Sequence, residues 1–544
     1  MAFFSYSRSP RHLIALATLW MVTLGNWPLW EQLARLPELA NVRGVIFTLA
    51  LALVIDCGIV LLLAPLAWRW TLKPALTLFL LVTAFGAYFM HSYGVVIDPS
   101  MIRNVLHTDA REVRDLLSWR MAFAVLALGV LPALAVWRAP VAWPSWPRQL
   151  LRNLTLMLLV LLLAAGAVLL AFQDFASVMR NHTALRYRIN PLNSFYALAF
   201  NLWQPAQRGG GPVAPAGLDA RLPALPPAAK PPLVVLVLGE TGRSDHFALN
   251  GYPRPTTPRL AGLGVASLRN VWSCGTDTAT SVPCMFSPLG KRDFERRESD
   301  TEGLADVLQH AGYAVLWIDN QPGGCKGVCD RVPTVRYDQL QAPGLCSQGE
   351  CYDEVMLHGL EQRIGQLPPE RRARGVVVFM HQMGSHGPAY YKRAPPQFKR
   401  FMPECATNAL QQCSREELIN AFDNTIVYTD DFLASVIDWL GQRQEHWATA
   451  LSYLSDHGES LGENGIYLHG LPWRIAPDAQ KHVAWITWLS PQYTFQTGIA
   501  PACLNAKQGE RFTHDNYFHS TLGLLSVQTS LYQPALDIYA SCRK

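Results

Sequence analysis

Five runs in the first 172 residues, roughly 12–30, 44–68, 70–90, 119–137 and 151–172, are each long and apolar enough to cross a bilayer, which takes about 20 residues. Water is absent from the hydrocarbon core, so each run must satisfy its own backbone and is read as a helix. The first run lacks a small-residue cleavage site and is read as a retained helix rather than a removed signal. Arg8, Arg11, Arg69, Lys73, Arg138, Arg148 and Arg152 flank the expected inner ends, but Arg35, Arg43, Arg103, Arg111 and Arg114 sit on the other side. The charge asymmetry that orients helices is therefore weak. The chain as a whole is 50% hydrophobic and 16% charged, below the roughly 25% charged residues of soluble proteins. That average joins two unlike parts, because the sequence after about residue 230 has the composition of an ordinary globular domain. The net charge of +5 comes without a long Lys/Arg run, which argues against a nucleic-acid partner.

The cysteines settle the orientation. Cys57 lies alone in an apolar run, and the other ten all follow residue 270. They fall into close pairs, Cys274/Cys284, Cys325/Cys329, Cys346/Cys351 and Cys405/Cys413, with a wider Cys503/Cys542. Ten cysteines allow very many connectivities, and proximity suggests these five. Even number and close spacing indicate disulfides made in an oxidising compartment. A cysteine zinc site is the competing reading, but no CxxC pair is present. With an inner N-terminus and five crossings, the C-terminal part lies outside, where disulfides persist.

The expected organisation is a five-helix transmembrane domain over 1–173, a bridging segment and linker over 174–232, and a catalytic domain over 233–544. Loop 91–118 is more than a connector. Asp98-Pro99 is a good helix start, and Met101, Ile102, Val105 and Leu106, then Val113, Leu116 and Leu117, recur at helical spacing. Two short amphipathic helices suited to a membrane surface follow from that pattern. Asn104 and Glu112 would supply polar reach toward a lipid; on spacing alone a plain surface-lying spacer is the better reading. Residues 175–203 form a further amphipathic stretch, and 204–232 is rich in Pro, Gly and Ala, a linker composition.

Beyond the linker, LVVLVLGE (233–240), YAVLWID (313–319), GVVVFMH (375–381) and TALSYLSDHGE (449–459) are short apolar runs that end in polar residues. Helical patterns such as 301–311 and 415–441 lie between them. Apolar strands alternating with helices predict an α/β domain with a mostly parallel sheet, whose ligands bind beyond the carboxyl ends of the strands. Three of those ends carry metal-ligand types: Glu240, the His381–His386 segment, and Asp456-His457-Gly458-Glu459, with His469 twelve residues on from His457. An isolated acidic strand end is usually a cap, and an isolated histidine is usually structural. Their combination suits zinc, which accepts carboxylate and imidazole together. Cys274 to Cys284 holds Thr276, Thr278 and Thr280 at alternate positions. A threonine hydroxyl can attack phosphorus once activated, and a helix N-terminus favours phosphate, but spacing does not rank the three. Without the metal ligands the segment would read as a capping turn clamped by a disulfide.

Glu240 after its strand, CGTDTATSVPCMFS, HQMGSHGP, LSDHGESLGE and the five-helix anchor together resemble the phosphoethanolamine transferases that modify lipid A. These belong to the alkaline-phosphatase and sulfatase superfamily and include enzymes of polymyxin resistance. The resemblance covers essentially the whole chain, with no departure at a ligand position, and the five cysteine pairs also match a family pattern. It implies that Thr278, the second threonine of CGTxT, is the nucleophile, and that Glu240, Thr278, Asp456 and His457 hold a catalytic zinc. It further implies that His386 and His469, with His381 and Lys326 nearby, bind a second zinc or the donor phosphate. Asn104 and Glu112 match membrane-proximal residues of substrate handling. The implied reaction moves phosphoethanolamine from phosphatidylethanolamine to a lipid A phosphate through a phosphoethanolamine-threonine intermediate. Lys326, His386 and His469 would stabilise charge or protonate a leaving oxygen. The implied enzyme is a monomer in contact with membrane lipids of the bacterial inner membrane, with its catalytic domain in the periplasm.

Rival readings share much of this pattern. A phosphoglycerol transferase of the lipoteichoic-acid-synthase kind would keep the helices, threonine and metal, but the dense disulfides fit a Gram-negative periplasm better. A phosphoethanolamine transferase acting on core heptose or a periplasmic glucan is the alternative acceptor reading. A catalytically dead binding or sensor protein would be expected to have lost a ligand or the nucleophile, and none is missing.

Overall fold

The computed structural model describes residues 9–107, 110–207, 213–347 and 349–544. They form two compact units, Met1–Arg103 with Leu117–Trp203, and Asn104–Leu116 with Gln204–Lys544.

The first unit contains five helices long and apolar enough to cross a membrane: Pro10–Ala34, Val42–Leu66, Leu72–Tyr93, Trp119–Arg138 and Trp146–Leu170. All five runs expected from the sequence are helical. Met21, Leu29, Phe47, Ile59, Leu63, Leu76 and Leu80 face inward, while Leu158, Leu159, Leu161, Leu162 and Leu163 are exposed on the last helix. Such an outward apolar surface fits hydrocarbon, not water. Asn26 and Asn190 pair inside the bundle, where an unmet donor is costly in an apolar medium. The Asn190 N–H donates to Asn26 Oδ1 (2.9 Å), and Asn190 Nδ2 donates to the carbonyls of Gly25 (3.0 Å) and Thr83 (2.8 Å). Two side chains thereby tie the first and third spans to the segment after the fifth.

Both amphipathic helices expected in loop 91–118 are present, at Pro99–His107 and Ala110–Leu116. Asp98 starts the first of them, its Oδ1 accepting from Met101 N–H at 2.9 Å. Residues 104–116 group with the second unit, where Asp115 meets Lys392 Nζ at 2.8 Å and its carbonyl accepts from Asn408 Nδ2 at 2.7 Å. The Pro-rich linker also lies on that unit. Ala214 N–H donates to Asp300 O (2.9 Å), and Arg221 and Gln528 exchange backbone hydrogen bonds (2.9 Å each). An extended chain without a core of its own still pairs wherever a neighbour offers an open backbone edge.

The second unit is built on strands β1 (Pro232–Gly239), β2 (Ala266–Trp272), β3 (Ala314–Asp319), β4 (Thr334–Val335), β5 (Cys346–Ser347), β6 (Glu350–Cys351), β7 (Val376–His381), β8 (Ala448–Ser455), β9 (Ser460–Leu461), β10 (Tyr467–Leu468), β11 (His482–Leu489) and β12 (Phe512–Thr513). Eight of them make one sheet in the order β12-β2-β11-β8-β1-β7-β3-β4, and β5–β6 and β9–β10 are small antiparallel pairs. The central strands β8, β1, β7 and β3 are parallel, and β11 runs antiparallel to both neighbours. This is the mostly parallel α/β sheet expected from the continuous apolar runs. Val234, Leu236 and Leu238 of β1 enter one core layer with Trp317, Phe379 and Phe286. Leu233, Val235 and Val237 enter the opposite layer with Phe422, Ile426 and Leu433. The period of two buries both faces of the strand. The run 449–459 ends its strand at Ser455, leaving Asp456 to Glu459 beyond the sheet. The helix expected over 301–311 starts at Leu304, because Gly303 N–H is captured by Asp306 Oδ2 at 2.9 Å. The helix expected over 415–441 spans Arg415–Gly441, its start fixed by reciprocal bonds between Ser414 and Glu417.

All five cysteine pairs suggested by proximity are disulfides, which removes the cysteine zinc site. Cys503–Cys542 closes the longest loop, with a separation of 39 residues. Replacing both by serine is expected to lower stability by about 4 kcal/mol, the loop-closure entropy for that length. Guanidinium unfolding followed by near-ultraviolet circular dichroism measures it, and an unchanged midpoint would refute it.

Candidate active site at the strand ends

Parallel register sets Gly239 of β1 beside Ser455 of β8. The next residues, Glu240 and Asp456, therefore leave adjacent strands together. Both are fully buried, as is His457. His457 Nε2 lies 3.4 Å from Glu240 Oε1 and 3.4 Å from Asp456 Oδ2. Its Nδ1 donates to the Gly458 carbonyl at 2.9 Å, which turns Nε2 toward the carboxylates. Two carboxylates in a dry pocket draw positive charge. Burial opposes it, yet Asp456 and Glu240 push the His457 imidazole up to about 10. Burial and the neighbouring Glu240 charge push the Asp456 carboxyl up to about 6.

Thr278 opens the helix Thr278–Met285. Asp277 caps it from extended backbone, its Oδ1 accepting the Thr280 N–H at 2.8 Å. The Cys274–Cys284 disulfide fastens the helix to the incoming loop. Gly275 permits the tight approach, since a Cβ there would lie 2.8 Å from Thr280 Cβ. The structure separates two of the three threonines that spacing left equal, Thr276 and Thr278. Thr276 is buried and donates to the Leu471 carbonyl at 2.6 Å. Thr278 Oγ1 donates to Glu240 Oε2 at 3.1 Å, lies 3.3 Å from His457 Nε2, and borders an open cleft.

That cleft, about 60 Å³, is also lined by Asn104, Gln321, Lys326, Glu350, His386, Arg393 and His469. Lys326 takes a left-handed backbone (φ 53°) and its Nζ donates to Gly323 O at 2.9 Å. The His386 and His469 rings are 6.0 Å apart, and those of His469 and His457 4.3 Å. His381 is fully buried, 3.2 Å from Asp319, and is not among the cleft-lining residues. The Glu112 side chain lies outside the described residues.

Several site residues were given no individual role by the sequence reading. Glu459 is completely buried and accepts from Tyr390 Oη and His469 Nδ1, each at 2.9 Å. A carboxylate oxygen accepts, so His469 donates from Nδ1. Glu459 stands in the DHGE run and was readable there. Gln321, two residues past β3, donates to Glu240 Oε2 at 2.8 Å, and the strand-end rule could have found it. Glu350, Tyr390 and Arg393 lie off the main sheet, where no periodicity marks them.

A cation fits the cluster. Glu240 Oε1 and Asp456 Oδ2 are buried without any hydrogen-bond partner among the described residues, a cost that folded proteins rarely leave standing. Ligand atoms of Glu240, Asp456 and His457 lie within 4.8 Å of one another, and two carboxylates with an imidazole suit zinc. A second such group is His457, Glu459 and His469, without His386.

Strand-end carboxylates, a histidine and a threonine at a helix N-terminus on a mostly parallel sheet define a domain of the sulfatase class, and residues 232–527 match the Sulfatase family. Residues 55–204 match the family described as Phosphoethanolamine transferase EptA/EptB. The chain is 41% identical to Phosphoethanolamine transferase EptA of Escherichia coli strain K12 over 536 residues, covering 98% of this chain and 96% of that one. It is 37% identical to Phosphatidylethanolamine transferase Mcr-1 of Escherichia coli, covering 96% of each. Its fold matches the integral membrane lipooligosaccharide phosphoethanolamine transferase A of Neisseria meningitidis with a TM-score of 0.93 and 34% identity, over 99% of this chain and 100% of that one. The chain belongs to the phosphoethanolamine transferase family; it is a multi-pass membrane enzyme with a periplasmic catalytic domain.

Asp277→Ala should cost about 1 kcal/mol of stability, as cap removal does, and should lower turnover as well because Thr278 is the next residue. Asp277→Asn should keep most of both. Thermal unfolding and transfer assays on the same preparations check the pair, and equal activity of the two variants would contradict the positioning role.

Proposed function

We propose that the protein transfers phosphoethanolamine from phosphatidylethanolamine to a phosphate of lipid A, with Thr278 as nucleophile, and so raises polymyxin resistance. The observation that carries this reading is Thr278 Oγ1, held at the rim of an open cleft by Glu240 and His457. The donor is supported by the relative Mcr-1, a phosphatidylethanolamine transferase, and a lipid-A-type acceptor by the lipooligosaccharide enzyme that shares the fold.

In the first step Thr278 Oγ1 forms a bond to the donor phosphorus while the phosphorus–oxygen bond to diacylglycerol breaks. The hydroxyl proton is directed at Glu240 Oε2, its hydrogen-bond acceptor. The N-terminus of the Thr278 helix adds a favourable field for the phosphoryl oxygens. Lys326 supplies fixed positive charge from the cleft wall. His386 or His469 protonates the departing diacylglycerol oxygen; His469 is kept in register by Glu459. In the second step a lipid A phosphate oxygen attacks the phosphoethanolamine-threonine, and Oγ1 leaves and regains a proton. Glu240, Asp456, His457 and Thr278 would hold zinc, which supplies Lewis acidity that eases loss of the threonine proton and withdraws charge from the phosphoryl oxygens. A second zinc would draw on His469 and His386. Asn104, at the cleft, and Glu112 would contact the lipid donor.

Mass spectrometry of lipid A from a Gram-negative host expressing the chain should show one added phosphoethanolamine, absent with Thr278→Ala. Unmodified lipid A from well-expressed protein would overturn the acceptor. Modification by the alanine variant would overturn the nucleophile. Removing metal from the purified enzyme with a chelator should abolish transfer, and added zinc should restore it. Metal analysis of Glu240→Gln should find zinc reduced, and full zinc content in that variant would contradict the ligand set.

A further inference from the structure

The mechanism above assigns groups to the phosphate end of the donor headgroup, gives Asn104 and Glu112 a general contact with the lipid, and assigns none specifically to the ammonium. The cleft is rich in positive and basic groups, with Lys326, Arg393, His386 and His469 on its lining. These suit phosphate and repel an amine. Among the described lining residues the carboxylates are Asp277 and Glu350. Asp277 is committed to the cap of the Thr278 helix. Glu350 is not committed in the same way. Its Oε2 accepts from Arg393 at 2.9 Å, and among the described residues Oε1 has no donor. The Glu350 side chain is 23% exposed while that of Arg393 is 4% exposed, so the carboxylate is the more accessible end of the pair.

The mounting is stiff. Glu350 belongs to the β5–β6 hairpin, whose partners Cys346 and Cys351 are disulfide-bonded. The Cys351 carbonyl accepts from Asn320 Nδ2 at 3.0 Å, next to Gln321 at the end of β3. Arg393 is shared. It donates to the His386 carbonyl at 2.9 Å and lies 3.5 Å from Asp115 Oδ2. Asp115 is itself met by Lys392. Two carboxylates and two cations cancel here, so the pair can admit an ammonium and the phosphate that accompanies it without a net charge left over.

We propose that Glu350, oriented by Arg393, receives the ammonium of the phosphoethanolamine headgroup and makes the enzyme select ethanolamine over uncharged headgroups of equal size. This rests on the phosphoethanolamine transfer proposed above. An ammonium entering a half-enclosed cleft must recover hydrogen bonds lost from water, and a fixed carboxylate returns the strongest of them. A neutral isostere would leave that carboxylate desolvated and unanswered, which is the asymmetry that gives sites built for hydrogen bonds their selectivity.

The test compares two donors with the full-length enzyme and lipid A as acceptor: phosphatidylethanolamine, and phosphatidylpropanol, whose methyl replaces the ammonium. Release of diacylglycerol reads both reactions. For Glu350→Gln, kcat/KM with phosphatidylethanolamine should fall roughly 10- to 100-fold, the span of a hydrogen bond to a charged group, mainly through KM. With phosphatidylpropanol it should hold nearly constant, so the preference collapses. Glu350→Asp should retain part of it and carries the comparison if the glutamine variant does not fold. Arg393→Lys should lower both donors together. Equal losses on both donors for Glu350→Gln would overturn the proposal and leave Glu350 as a brace for Arg393. Wild-type enzyme that releases no diacylglycerol from phosphatidylethanolamine would instead overturn the function on which it rests.

Discussion

Glu240 and Asp456 leave neighbouring parallel strands side by side, and adjacent strands are about 4.8 Å apart. Two buried carboxylates so close cannot both stay ionised without an answering cation. Nearly every other feature of the site serves that demand. His457 turns its Nε2 into the gap, Gln321 and the Thr278 hydroxyl donate to Glu240, and the Thr241 N–H donates to Asp456 Oδ1 at 3.2 Å. Behind them His514, its charged form pushed down to about 3 by burial, stays neutral and donates from Nε2 to the Ser455 carbonyl at 3.0 Å, holding the strand end in place.

The candidate cluster was legible because it is tied to strand termini. Apolar runs announce where a strand stops, and parallel topology then brings the stopping points to one edge. Glu240, Asp456 and His457 were reachable by that reasoning alone. The choice of Thr278 was not. It depends on which hydroxyl the backbone turns outward, and only coordinates reveal that Thr276 spends its proton on Leu471. His381 was placed near the donor phosphate only by the family resemblance. It ends β7 in register with Asp319 of β3, and that pairing draws it inward, away from the cleft.

What the sequence hid is the scaffolding made by long-range side-chain contacts. Asp353, far from any strand end of the main sheet, accepts from Asn320 Nδ2 (2.9 Å), Met383 N–H (2.8 Å) and Gly384 N–H (3.1 Å), and so joins the loops that follow β3 and β7. Gly384, at φ 49° and with no room for a Cβ beside the Glu240 carbonyl, completes that junction. Strands β2 and β11, which pair antiparallel with each other, were missed as well; β2 mixes exposed and buried residues and resembles a surface loop.

The grouping of residues 104–116 with the C-terminal unit means that the polypeptide passes between the two units three times, after residues 103, 116 and 203. The catalytic body is consequently discontinuous in sequence. A fragment cut in the Pro-rich linker would keep Thr278, Glu240, Asp456 and His457, yet it would lack Asn104 from the cleft lining and Asp115 from the Lys392–Arg393 clasp. Kinetics gathered on such a fragment describe a cleft with one wall missing, and inhibitors ranked against it would be fitted to a shape the intact enzyme does not present.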